Sequence, residues 1–190
     1  MSLLTSAATR TVFSLGMVLL LAGTLIITGC SSHSTTPATD STIAAKELFD
    51  QISRDYHLPS AEAQGAARMK LLQQAAAGYE TLLQKHPKSL PWAAQSLRSL
   101  GNIRAEQGKL DEAVKIYASV ATKYPASDWE ILQSWKSAAD LLWDANRHAD
   151  AKSFYQKIVT RFDNPSASAL IKTIVRASQN RLSKGWIDPL

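Results

Sequence analysis

The amino-acid sequence predicts an all-α protein built as a short α-solenoid of helical hairpins, and three observations carry that prediction. Apolar residues after Ser41 recur with the helical period. No segment shows sustained period-2 alternation between turn signals, so strands are not expected. One pattern of small, aromatic and aliphatic residues also returns at a fixed interval. Of 190 residues, 45% are hydrophobic and 19% charged, and eight Gly with seven Pro exclude collagen-like and Pro/Gly-rich disordered chains. A single cysteine excludes an internal disulfide framework and any multi-cysteine zinc or iron-sulfur site.

Residues 1–29 stand apart from the rest. They contain one charged side chain, Arg10, followed by an apolar run over 12–27 interrupted by Ser14 and Thr24. A positive start, an apolar middle and a small-residue end are the three regions of a secretory signal. The boundary Ile27-Thr28-Gly29-Cys30-Ser31 resembles the lipobox of bacterial lipoproteins. That resemblance implies cleavage between Gly29 and Cys30, a diacylglyceryl group on the Cys30 thiol and an acylated new amino terminus. Two or three acyl chains anchor stably where one is marginal. Ser31 in place of Asp implies, by the enterobacterial sorting rule, an outer-membrane anchor facing the periplasm, with inner-membrane anchoring as the alternative. The competing reading is an uncleaved membrane helix. A span needs about 20 apolar residues, and this run is shorter.

After the signal, residues 30–41 read as the lipidated cysteine and a flexible Ser/Thr-rich tether, which at full stretch reaches about 35 to 40 Å. Removing 1–29 takes one base and no acid, leaving 20 basic against 16 acidic side chains from the original 21 and 16. A surplus that small, spread along the chain, does not point to nucleic acid. Residues 42–60 read as an N-terminal helix and loop: Ala45, Leu48, Phe49 and Ile52 share one helix face, with Asp40 or Ser41 as N-cap.

The repeat occupies residues 61–163. Ala75, Tyr79, Leu82, Lys85, His86 and Pro87 are followed 38 residues later by Ala113, Tyr117, Val120, Lys123, Tyr124 and Pro125. After another 38 come Ala151, Tyr155, Ile158, Arg161, Phe162 and Asp163. Small, aromatic and aliphatic residues at i, i+4 and i+7 lie on one helix face, and the small residue admits a close neighbour. Upstream of the second copy lie Leu97, Leu100, Gly101 and the turn glycine Gly108. The third copy has Trp135, Ala138, Ala139, Leu142 and, in place of the glycine, Asn146. Asn tolerates the left-handed backbone that a helix C-cap wants. In this order the residues resemble the tetratricopeptide repeat (TPR), which implies TPR-like helical hairpins. The first copy lacks these signals, with Glu62 and Lys70 at the matching places, leaving open whether 61–86 form one long helix. The 38-residue interval and the Tyr/His-Pro-x-Ser junctions (Tyr124 to Ser127, His86 to Ser89) are similar to repeats of the outer-membrane barrel-assembly lipoprotein and the periplasmic Tol-Pal-associated protein.

Boundary chemistry completes the layout. Ser127 and Glu130 have the spacing of a capping box opening a helix over about 128–145. Asn164 before Pro165 predicts a capped start for a final helix reaching Ser183, so 164–190 read as a C-terminal capping helix and tail. Its face of Ile171, Ile174, Val175, Ser178 and Leu182 would cover the last hydrophobic layer of the solenoid.

Catalytic signals are sparse. His33, His57, His86 and His148 are far apart, neither an H-E-x-x-H motif nor a Gly-rich phosphate loop occurs, and the one cysteine belongs to the anchor. No enzyme activity, cofactor or metal is therefore expected. In tetratricopeptide proteins the first helices line a concave groove. That resemblance implies groove residues Gln95, Arg98, Asn102, Ala105 and Glu106 in one unit and Gln133, Lys136, Asp140, Trp143 and Asp144 in the next. Two readings of Trp143 stand side by side, an aromatic anchor in the groove or packing beneath a neighbouring helix. The functional expectation is a periplasmic, lipid-anchored, non-catalytic adaptor for a protein or peptide partner. The alternatives are a structural subunit without a peptide groove and an envelope hydrolase.

Overall fold

Every regular element follows from an amphipathic helix that has to cover one apolar face. The computed structural model describes residues 37–183. The leader 1–29 with its lipobox, Cys30, the tether up to 36 and the tail 184–190 lie outside the described residues. Helix α1 (Pro37–Ile52) takes in residues assigned above to the tether, and buries Ala45, Phe49 and Ile52. The loop expected before residue 60 is helix instead. The chain runs through a π-helical stretch, Ser53–His57, into the short α2 (Leu58–Ser60). Pro59 explains the widened turn. A proline ring collides with the carbonyl four residues back and donates no hydrogen bond. The extra residue carries the strain, with Leu58 N–H reaching back five residues to the Ser53 carbonyl.

Next, α3 (Gly65–Lys85) is one helix of 21 residues, which settles the open question for that segment from Gly65 onward. It packs along α1, the π-helical stretch and α2. The N-terminal helix is therefore the first arm of the first hairpin rather than an element added before it. Two regular hairpins follow, α4 (Trp92–Glu106) with α5 (Leu110–Lys123) and α6 (Asp128–Asp144) with α7 (His148–Phe162), and α8 (Ala169–Ser183) closes the stack. Successive helices pack on each other, and α4 also touches α1 and α6, so the first helices line up along one side. The described residues form an all-α, TPR-like solenoid.

The turn chemistry repeats as the spacing predicts. Gly108 has φ 74° and Asn146 has φ 58°. The next residue in each hairpin closes the same loop: Lys109 N–H donates to the Arg104 carbonyl at 2.9 Å, and Arg147 N–H to that of Leu142 at 2.8 Å. Inside, Ala75, Ala113 and Ala151 are fully buried beside Tyr79, Tyr117 and Tyr155, which are at most 3% exposed. Each alanine lets a neighbouring helix approach, and each ring fills the space, a burial that contributes roughly 1.5–3 kcal/mol for a large side chain.

Three predicted caps are corrected. Asp40 and Ser41 lie within α1, which begins at Pro37, so neither is its N-cap. Ser127 makes no side-chain bond to the start of α6, and Glu130 is instead turned inward, 7% exposed. Asn164 does not open α8. Its Oδ1 accepts from Ser166 N–H at 2.8 Å in a turn over Pro165, and Ser168 Oγ accepts from Ile171 N–H at 3.4 Å where α8 begins. The α8 face itself is as expected: Ile174, Val175 and Ser178 are buried and Ile171 and Leu182 are packed against the core. No described helix is long and apolar enough to cross a membrane.

Candidate functional site

The 38-residue interval puts chemically related side chains at matching places on α4 and α6: Gln95 and Gln133, Arg98 and Lys136, Asn102 and Asp140, Glu106 and Asp144. The structure links this row to the repeat tyrosines. Tyr117 donates its hydroxyl to Asn102 Oδ1 at 2.7 Å, and Tyr155 donates to Asp140 Oδ1 at 2.9 Å. In the first hairpin the Tyr79 hydroxyl meets different partners on the first arm, Ser53 Oγ and His57 Nδ1, both at 3.0 Å. Burial raises the pKa of all three phenols, to about 12 for Tyr117, and the Asp140 carboxylate adds to the rise at Tyr155. They stay neutral donors near neutral pH. Burial lowers the pKa of His57, while Glu106 and Arg98 act on it in opposite directions.

Several predicted groove residues are already committed inside the fold. Arg98 Nε binds Glu130 Oε2 at 2.5 Å, with side chains 21% and 9% exposed, joining the two hairpins. Glu106 pairs with Arg68 of α3 at 2.8 Å. Ala105 packs against the core, and Gln95 and Gln133 are half-buried toward the starts of their helices. With Asn102 bonded to Tyr117, the other four come together. Lys136, Asp140, Trp143 and Asp144 line a cavity of about 350 Å³ with Tyr155 of α7 and Ile174, Ala177, Ser178 and Arg181 of α8. Lys136 Nζ lies 2.5 Å from Asp140 Oδ2. The cavity exists because α8 packs on α7 without repeating the close stacking that joins α4 to α6.

Trp143 packs against neighbouring side chains at the wall of the cavity. Its ring is half-buried and packs edge-on near Tyr155 at 6.3 Å and against His148 at 4.6 Å. Arg181 lies over it, 4.1 Å from the ring centroid. Sequence reasoning missed Glu130 as the buried partner of Arg98, and Tyr155 and Arg181 as walls of the cavity. The 15-residue separation shared by Tyr117 with Asn102 and Tyr155 with Asp140 was a readable signal. Arg181 carried none, because its place depends on how α8 docks.

Residues 95–127 match the tetratricopeptide repeat family. That segment is similar to a tetratricopeptide repeat. The matched span covers α4 from Gln95, all of α5 and the junction to α6. No curated protein matches the chain at a significant level. Tetratricopeptide hairpins typically bind protein partners and generally serve as non-catalytic scaffolds, which makes the α4 and α6 row the candidate contact surface. Among the described residues, no group of three His, Cys, Asp or Glu side chains is placed to hold a metal ion.

Proposed function

We propose that this protein is a non-catalytic adaptor of the bacterial cell envelope, a tetratricopeptide lipoprotein that binds a partner protein along α4 and α6. The single observation that carries the reading is the matched repeat with its first-helix row of amides and charges ending in a cavity beside Trp143. The anchor rests on the lipobox at Gly29 and Cys30: acylation of Cys30 would hold the chain at the outer membrane, facing the periplasm, and the tether would raise the local concentration of the partner. The junctions that are similar to barrel-assembly and Tol-Pal-associated proteins support a role in envelope assembly.

The test is crosslinking and affinity purification from envelopes, comparing the native chain with Cys30→Ser. The native chain should fractionate with the outer membrane at a processed, lipidated mass and capture a defined protein. A native chain that carries no acyl mass and runs at the same unprocessed mass as Cys30→Ser would sink the lipoprotein reading. A second reading, a structural subunit without a peptide groove, is favoured by one observation: Arg98 and Glu106 are already bound to Glu130 and Arg68. Capture that survives changes at Asp144 and Trp143 but fails when the convex face is altered would select it.

A further inference from the structure

The cavity among α6, α7 and α8 contains an acid and a base that the packing leaves unmatched. Asp140 is satisfied by Tyr155 and Lys136, and in being so it neutralises the lysine. Asp144 on the rim has no ion pair among the described residues, and Arg181 has none either, its guanidinium lying on the Trp143 ring at 4.1 Å. An indole face beside carboxylates is a seat for a cation, and Arg181 occupies it. One interval earlier, the residue equivalent to Asp144 is Glu106, which is paired with the guanidinium of Arg68 from the preceding helix α3 at 2.8 Å. Asp144 has no such pair among the described residues, and on the side toward α7 and α8 it lines the cavity of about 350 Å³.

We infer that this cavity is the anchor pocket of the groove and takes a basic side chain, arginine or lysine, from the bound segment onto Trp143 and beside Asp144, displacing Arg181. The inference rests on the groove reading and adds the chemistry of the partner. Arg181 is then an internal competitor, sitting two residues before α8 ends at Ser183. Removing it should make the pocket better rather than worse, which an anion-binding pocket would not show.

The test uses the full chain in detergent and two blocked pentapeptides, one with a central arginine and one with a central glutamate, titrated while the Trp143 indole resonance is followed by NMR. The arginine peptide should shift that resonance. Arg181→Ala should tighten its Kd roughly two- to fivefold, the ratio corresponding to one exposed cation-π contact, and Asp144→Asn should weaken it. Stronger binding of the glutamate peptide, or an Arg181→Ala chain that binds the arginine peptide no better than the native one, overturns the inference. Envelope capture by the native chain tests the adaptor reading separately. Capture without arginine binding removes the pocket and keeps the adaptor, whereas no capture at all removes the adaptor.

Discussion

Tyr117 and Asn102 are joined by a 2.7 Å hydrogen bond from the buried face of α5 to α4, and Tyr155 repeats the bond to Asp140 one hairpin later. The small change from amide to carboxylate alters what the bond does. Asn102 ends as a neutral acceptor. Asp140 has a second oxygen to spare, which holds Lys136 and brings charge to the cavity where α8 splays from α6. The tyrosines that hold the hairpins together thus also position the groove.

Tyr117→Phe keeps the ring and removes the donor, leaving Asn102 to water at the half-exposed surface. The expected loss is about 0.5–1.5 kcal/mol, read from the urea midpoint. Asp140→Asn should cost no more than this, because the amide oxygen at that position still accepts from Tyr155, as Asn102 does from Tyr117.

Arg98 and Glu130 behave differently. Glu130 is 7% exposed and Arg98 is its ion-pair partner across the hairpins. Arg98→Ala leaves a carboxylate in the core without a counterion, a change that costs about 3–5 kcal/mol for a buried pair. Replacing both by methionine should recover most of the loss. Arg98 is therefore a poor probe of binding, since its loss acts on folding first. Equal stability of the single and native chains by thermal unfolding would contradict this account.

Gly101 faces the ring of Tyr117 so closely that an added Cβ would lie 2.6 Å from Cε1. The ring is 2% exposed and hydrogen-bonded, so it has little room to yield. Gly101→Ala should destabilise by about 1–3 kcal/mol through overpacking, outweighing the gain in helix propensity of roughly 1 kcal/mol. A chain whose midpoint rises on this change would show that the hairpin tolerates a wider separation.

These contacts mark how far the sequence could be read. The hairpins, their 38-residue interval and the left-handed turn at Asn146 depend on neighbours within one or two helices, and the pattern of small and aromatic residues encodes them directly. Glu130 has the spacing of a cap, but Arg98, 32 residues earlier, lies where the carboxylate can be paired and buried, and that contact wins. Residues 42–60 read as a helix and a loop, yet a π-helical stretch carries the helix on into α2. Trp143 could be placed on α6 by alignment. Its cover, Arg181, could not, because the offset of α8 is set by the turn at Asn164 and Pro165 rather than by the repeat.

Stability should fall on both sides of neutral pH, for opposite reasons. His57 has its pKa lowered in the fold from 6.5, chiefly by burial. As pH drops through 6.5 the unfolded chain takes up a proton that the native chain resists, so this contribution is intact above 6.5 and is lost below it. For the tyrosines the sign reverses. Tyr117 is raised from 10.0 to about 12 by burial, and Tyr79, Tyr124 and Tyr155 are raised too. Above pH 10 the unfolded chain releases protons that the native chain keeps, so stability present below 10 is lost on going toward 12. Urea midpoints taken at about pH 5.5, 7.5 and 11 should peak at the middle value. His57→Gln should flatten the acid side and leave the alkaline side, and Tyr117→Phe should soften the alkaline side alone. An acid loss of the same size in His57→Gln would assign it to other groups.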